Sequence, residues 1–264
     1  MKFDEQKWLN ILRKVFIILG WTSVFTCVLV ALAFSHKQAN DLQVKKLNIS
    51  VYPIDLHFYN RQRVLEQVKP VLPKNKKLIG MPMGEVDVAK MESILGKQLL
   101  IEKAEVFTDL SGEINISITQ RRPVLRVIRY DGTQFYLDQF GVKIPLSEHY
   151  TCKVPIASGN IFERYEKGDS VYSFVGKQLF KIASYVDKHP FYDALIDQIF
   201  VRADNELILV PKIGSEVIVF GDVENLEAKF KKLLVFYQEG LNRIGWNHYR
   251  SIDLRFEGQV ICKK

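Results

Sequence analysis

Asp193 and Asp197 stand four residues apart, a spacing that puts two carboxylates on one face of a helix. Neighbouring carboxylates can serve as general acid and general base. No nucleophile lies near them in the sequence, and the plainer account of such a pair is a solvated helix face. The histidines, His36, His57, His149, His189 and His248, are scattered and leave no i, i+4 pair to hold a metal. His189-Pro190 reads as a helix boundary. Cys27 lies in an apolar run. Cys152 and Cys262 are far apart, and although they could pair in an oxidising compartment, they form neither a disulfide framework nor a zinc spacing. The sequence carries no G-x-S-x-G, H-E-x-x-H, C-x-x-C or phosphate-cradling glycine loop. Asn48-Ile49-Ser50 and Asn115-Ile116-Ser117 match the glycosylation sequon, a pattern short enough to arise by chance. The expectation is a chain without enzymatic activity, cofactor or metal.

What remains is backbone chemistry. The last predicted strand, Arg250 to Phe256, alternates Ile252, Leu254 and Phe256 against Asp253 and Arg255. A terminal strand is commonly a sheet edge, with unpaired N–H and C=O groups. Such an edge is either covered or able to take an added strand from a partner. The candidate docking residues are Phe256, Glu257, Gly258, Gln259 and Val260. The competing reading puts Phe256 in the core beside Ile252 and Leu254.

These residues follow a long uncharged run, Val15 to Phe34, VFIILGWTSVFTCVLVALAF. A helix of that length rises about 30 Å, the thickness of a bilayer's hydrocarbon core. Trp8, Trp21 and Arg13-Lys14 suit its interfaces. The run reads as a retained anchor; Ala31-Leu32-Ala33, a small-residue pattern, leaves signal cleavage as the alternative. Lys2, Lys7, Arg13 and Lys14 before the span, against Lys37, Lys45 and Lys46 after it, place the tail inside and the globular part outside. The formal charge of +7 is mild for this length, and Lys74-Asn75-Lys76-Lys77 and Arg121-Arg122 read as loop and edge-strand charge. Nucleic acid is therefore not an expected partner.

Periodicity organises the rest. A polar stalk over 35–45 leads to a strand at Lys46–Tyr52 and a helix at Asn60–Val71, followed by a Pro- and Gly-rich loop over Leu72–Glu85. Asp87 caps a second helix that stops at Gly96. Ile101–Thr108 and Glu113–Thr119 form a hairpin over Asp109 to Gly112. Beyond Pro123 come strands at Val124–Tyr130 and Gln134–Leu137, joined at Asp131-Gly132 by a tight type I′ turn, and a short one at Val142–Pro145. A helix over Phe174–Asp187 precedes a meander of Ile196–Arg202, Glu206–Pro211 and Glu216–Phe220. Asp222 caps a last helix running from Val223 to Ile244. The expected fold is α+β: a cytoplasmic tail (1–14), a transmembrane helix (15–34), a stalk (35–45), a βααββ unit (46–122) and a second α+β unit with a mainly antiparallel sheet (123–264).

Four segments in sequence carry a resemblance. Gly112-Glu113-Ile114-Asn115-Ile116-Ser117-Ile118, followed by Arg122-Pro123-Val124, looks like a strand ending in E-x-x-P-V. Tyr136 to Gly141 looks like L-V-D-x-x-G, Val154 to Gly159 like L-P-x-L-x-G, and Ser251 to Phe256 like Y-V-D-L-R-Y. Behind one membrane helix, this series resembles the FtsQ/DivIB family of bacterial cell-division proteins over nearly the whole chain. The resemblance implies a POTRA domain at 46–122, a β domain at 123–264, and a scaffold of the divisome in the inner membrane at the septum. It implies partners that are FtsB-like and FtsL-like single-span proteins, with the FtsB-like segment added beside the last strands. By matching position it puts Arg202 where the family has a basic residue contacting an acidic partner side chain. Two departures stand out: Gln120 replaces an acidic residue, and Tyr52 to Asn60 replaces a G-N turn. The rival readings are a membrane-anchored envelope hydrolase, which would need the nucleophile-base pair missing here, and a POTRA-bearing transport or assembly factor, which would need repeated POTRA units or many barrel strands.

Overall fold

The computed structural model describes residues 13–14, 17–31, 42–72, 78–241, 245 and 248–264. Residues 17–31 are helical, with Trp21, Phe25 and Val30 exposed. Among the described residues no helix is long and apolar enough to cross a membrane. Most of the tail and stalk, and Val15, Phe16 and Leu32 to Phe34 of the expected span, lie outside the described residues.

The chain divides into two units. One draws on the chain up to Ser50, on Arg61–Leu95 and on Ala104–Ser117; the other takes Val51–Asn60, Gly96–Lys103 and Ile118–Lys264. A three-stranded sheet has the order β1 (Lys46–Tyr52), β3 (Glu113–Gln120), β2 (Ile101–Thr108). The first unit contributes α1 (Arg61–Val68) and α2 (Val88–Gly96), which bury Val64, Val68, Met91 and Leu95. Asp87 does cap α2, its Oδ1 accepting from Lys90 N at 2.9 Å. The alternation in β3 buries Ile114, Ile116 and Ile118 on one face.

The second unit holds a nine-stranded mixed sheet. In chain order its strands are β4 (Pro123–Ile128), β5 (Gln134–Asp138), β6 (Lys143–Ile144), β7 (Ile156–Gly159), β8 (Ile196–Val201), β9 (Leu207–Pro211), β10 (Val217–Gly221), β11 (Ser251–Asp253) and β12 (Ile261–Lys263). Across the sheet they run β12-β11-β10-β9-β8-β7-β4-β5-β6. Its helices are α3 (Phe174–Asp187), a short α4 (Pro190–Leu195) and α5 (Leu226–Val235), which continues as a π turn through Gly240. Leu179, Ile182, Ala183 and Val186 of α3 join Leu226, Phe230 and Leu233 of α5 in one core with Ile199, Leu209, Ile218 and Ile252 of the strands. Fully burying a side chain such as Phe230 contributes about 1.5–3 kcal/mol.

Several expectations are corrected. Asp193 lies in α4 and Asp197 in β8, so the two carboxylates do not share a helix face. Asp222 does not cap α5: its Oδ1 accepts from Glu224 N within the preceding turn, and the helix starts at Leu226 after Asn225, whose φ is +50°. The β4–β5 turn has positive φ at Gly132 but not at Asp131, so it is not type I′; Gly132 N donates to Arg129 O at 3.0 Å. β7 is a strand that the sequence pattern does not announce, yet it lies parallel to both β4 and β8 at the middle of the sheet. Gly159, at φ +100°, ends β7 where a Cβ would sit 2.2 Å from Val201 O. The last strand stops at Asp253 rather than Phe256, and the chain then turns back to lay β12 antiparallel on β11.

Candidate functional site

The second unit's sheet has two edges, and their treatment differs. At β6, Lys143 N donates to Asp169 O at 2.8 Å and Gly168 N to Lys143 O at 2.9 Å, so the 168–171 segment covers that edge. Lys143 itself turns inward. Its ammonium lies 2.7 Å from Glu163 Oε1 and 2.9 Å from Arg164 O, with both charged side chains buried. Glu163 also accepts from the Ser173 hydroxyl and from Ser173 N and Tyr172 N, fixing the start of α3, which Ser173 caps. Burial pushes the Glu163 carboxyl up, but Lys143, Ser173 and the two amides outweigh it and hold the group below its ordinary pKa.

At β12 nothing among the described residues covers the outer side. The sequence points to an open edge at this end of the chain, and the structure places it one step further along. Phe256, Glu257, Gly258, Gln259 and Val260 form the connection that leads into it. Ile252 and Leu254 are in the core, whereas Phe256 is 44% exposed, with the Arg255 guanidinium 5.9 Å from its ring centre. Gly258 has φ +68°, which lets the connection turn. Val260 packs against the core, while Glu257 and Gln259 are exposed.

Lys232, on α5, holds this connection. Its ammonium donates to the carbonyls of Leu254 at 2.8 Å, Phe256 at 2.5 Å and Gln259 at 3.3 Å, using all three of its donors. Burial lowers its pKa and Lys229 adds to the effect, against the pull of Asp253 and Glu257. Behind the connection runs a groove of about 790 Å³, lined in part by Val235, Phe236, Leu254 and Val260. Sequence reading missed Lys232, and a lysine on the outer part of a helix gives no signal of such a role.

Arg202 sits at the turn between β8 and β9, half exposed, and is already engaged. Its guanidinium lies 3.2 Å from Glu206 and 3.4 Å from Asp204. Glu206 in turn meets Arg255 at 2.7 Å, and Arg255 meets Asp253 at 2.7 Å. Hydrogen bonds that Arg255 donates to the Asp253 and Glu206 carboxylates raise its pKa further above its ordinary value. Burial alone would raise Asp253, but Arg255 outweighs that and lowers it. The arginines therefore stand beside the β11–β12 connection within a chain of alternating charges.

The two departures from the family's pattern meet in space. Gln120 is buried and donates to Leu56 O at 2.8 Å and Pro53 O at 3.1 Å, while its Oε1 accepts from Tyr59 N at 2.8 Å. A carboxylate could accept from Tyr59 but could not donate to the carbonyls. The amide at 120 thus suits the segment that replaces the G-N turn. Cys152 and Cys262 are both free, and burial raises the Cys152 thiol to about 11.

Comparison with known proteins agrees with this geometry. A family model described as FtsQ/DivIB, C-terminal related, matches residues 122–263, from the start of β4 into β12. A POTRA-like domain matches residues 54–119. No curated protein matches the chain. The C-terminal match covers more than half of the sequence, and the chain belongs to the FtsQ/DivIB family.

Proposed function

We propose that this chain is a non-enzymatic, membrane-anchored scaffold of the bacterial division machinery. Its tail lies in the cytoplasm, residues 15–34 span the inner membrane, and the POTRA (46–122) and β (123–264) domains stand outside, at the septum. It recruits FtsB-like and FtsL-like single-span proteins. An extended segment of the FtsB-like partner adds to the β12 edge, beside Phe256 to Val260, and an acidic side chain of the partner reaches Arg202. The observation that carries this reading is the family match over residues 122–263 together with the β12 edge, which no described residue covers while the β6 edge is closed by 168–171. A partner carboxylate must compete with Glu206 and Asp204 for Arg202.

Site-specific photo-crosslinking in growing cells tests it. A crosslinking amino acid at Lys263, on β12, should capture a small single-span protein, while the same group at Asp169, on the closed edge, should not. Capture from 169 but not from 263 would show that the docking surface lies elsewhere.

A further inference from the structure

A cleft lies at the end of the sheet where β8, β10 and β11 finish. Its volume is about 410 Å³, and it is lined by the acidic residues Asp204, Glu206, Asp222 and Glu224, with Lys229 and Arg255 as its cations. The cations are spent. Lys229 lies 2.8 Å from Asp222 and also donates to the Asp222 carbonyl, and Arg255 is held by Asp253 and Glu206. Arg202 occupies Asp204 and the other oxygen of Glu206. Glu224 is left with no ion pair among the described residues. Gln178, from α3, also lines the cleft; it is 5% exposed, and its Oε1 is buried with no hydrogen-bond donor. An acceptor buried without a donor carries the full cost of its lost hydration, so a donor arriving there is rewarded. Phe174 also lines the cleft and is 71% exposed, leaving its ring accessible to a cation. Gly221 keeps the cleft open to Arg255, since a Cβ there would meet the arginine's Cγ at 2.9 Å.

We propose that this cleft binds a cationic N–H donor side chain, an arginine or lysine carried by a partner polypeptide. An unpaired carboxylate, an unfilled buried acceptor and an exposed ring are what such a group satisfies: one charge, at least one hydrogen bond and one cation–π contact. A metal ion is the weaker fit, because among the described residues no three His, Cys, Asp or Glu side chains gather closely enough to hold one. A carboxylate-bearing ligand would meet Glu224 with like charge. Asp204, Glu206 and Arg255 also lie where the β12 partner is proposed to reach, but the test reads Glu224 and Gln178, which that docking does not use, so the two readings can fail separately.

The test uses the full chain in non-ionic detergent and acetyl-Gly-Arg-Gly-amide as probe, followed by saturation-transfer NMR, with acetyl-Gly-Glu-Gly-amide as its acidic counterpart. The arginine tripeptide should bind saturably and the acidic one should not. Glu224→Gln, at an exposed position, should weaken binding about tenfold, and Gln178→Met about threefold, the losses of a charged and a neutral hydrogen-bond partner. Gln178→Met leaves the net charge untouched, so a loss there separates the site from diffuse attraction to acidic groups. Binding of the acidic tripeptide, equal binding by the parent and both variants, or no saturable binding of the arginine tripeptide would overturn the proposal.

Discussion

Lys232→Met keeps the aliphatic stem on α5 and removes one ammonium, which in the structure donates to the carbonyls of Leu254, Phe256 and Gln259. A hydrogen bond from a charged donor is worth about 1.5–3 kcal/mol. Phe256 and Gln259 are exposed, so water can take over their carbonyls, and only the buried Leu254 carbonyl is left short of a donor. The expected cost is therefore about 1–2 kcal/mol rather than the sum of three bonds. It should be local, because Phe230 and Leu233 keep α5 seated in the core. A local loss of that size speeds amide exchange about 5- to 30-fold. Hydrogen–deuterium exchange by mass spectrometry on the full chain should show faster exchange in peptides covering 254–264, and none in those covering 196–211. Unchanged protection of Ile261 to Lys263 would refute the latch. So would an equal acceleration in β8 and β9, which would make Lys232 a support of the whole core rather than of the β12 edge.

Glu163 has its pKa held below the ordinary carboxyl value in the folded state, so the stability it contributes is present above the unfolded value, about 4.3, and is lost as pH falls through the folded one. Glu163→Gln should lower the unfolding midpoint at pH 7 by the equivalent of about 3 kcal/mol, because Lys143 loses its buried counter-charge, and should make the acid limb of a thermal-melt series shallower than the parent's. Gly159→Ala forces a Cβ to within 2.2 Å of Val201 O at positive φ, and a chemical denaturation curve should show a loss of about 3–5 kcal/mol. Phe256→Ala should cost about 1–1.5 kcal/mol of stability, since the ring is only partly buried, well short of the roughly 3–5 kcal/mol of a core phenylalanine, while reducing capture of the single-span partner; a core-sized loss with full capture would return Phe256 to a packing role.

The elements legible in the sequence were those whose pattern and ends agreed. Asp87 and Gly96 bracket α2, and the alternation of Ile114, Ile116 and Ile118 marks β3, because a period-2 pattern with one buried face allows one reading. β7 was missed because Ile156 to Gly159 is short and sits mid-sheet, where parallel neighbours on both sides remove the alternation that marks a half-exposed strand. The end of β11 was misplaced for a different reason. Ile252, Leu254 and Phe256 alternate, but after Leu254, whose N–H still reaches Val219 O, the chain turns back to β12 and Lys232 holds the carbonyls of that turn, long-range contacts that no local window contains. Asp222 was misread as a cap because its side chain has a second use, the ion pair with Lys229. Of the candidate docking residues, Arg202 and Phe256 fall at the same end of the sheet, since β8 and β11 finish together there; the charge chain through Glu206 and Arg255 that ties this end together required the fold.

The shortness of β12 sets a condition on any partner that docks there. Pairing with a three-residue strand supplies about three backbone hydrogen bonds, each worth about 0.5–1.5 kcal/mol net, so roughly 2–4 kcal/mol in all. Micromolar binding requires about 8 kcal/mol before the cost of ordering the segment is met. Arg202 and Arg255 cannot supply the whole difference, because Glu206, Asp204 and Asp253 must first be displaced from them. The balance falls to apolar surface, and the groove lined by Val235, Phe236, Leu254 and Val260 lies beside the connection that leads into the edge. At about 25 cal/mol per Å², the missing 4–6 kcal/mol corresponds to roughly 160–240 Å², the area that one aromatic side chain buries. An added strand should therefore carry a large apolar residue placed to enter that groove. Replacing that residue by alanine in the captured partner should cost about 2 kcal/mol or more of affinity by calorimetry, whereas an alanine scan with no position above about 1 kcal/mol would mean that the strand is held by backbone and charge alone, and the energies above would have to be rebuilt.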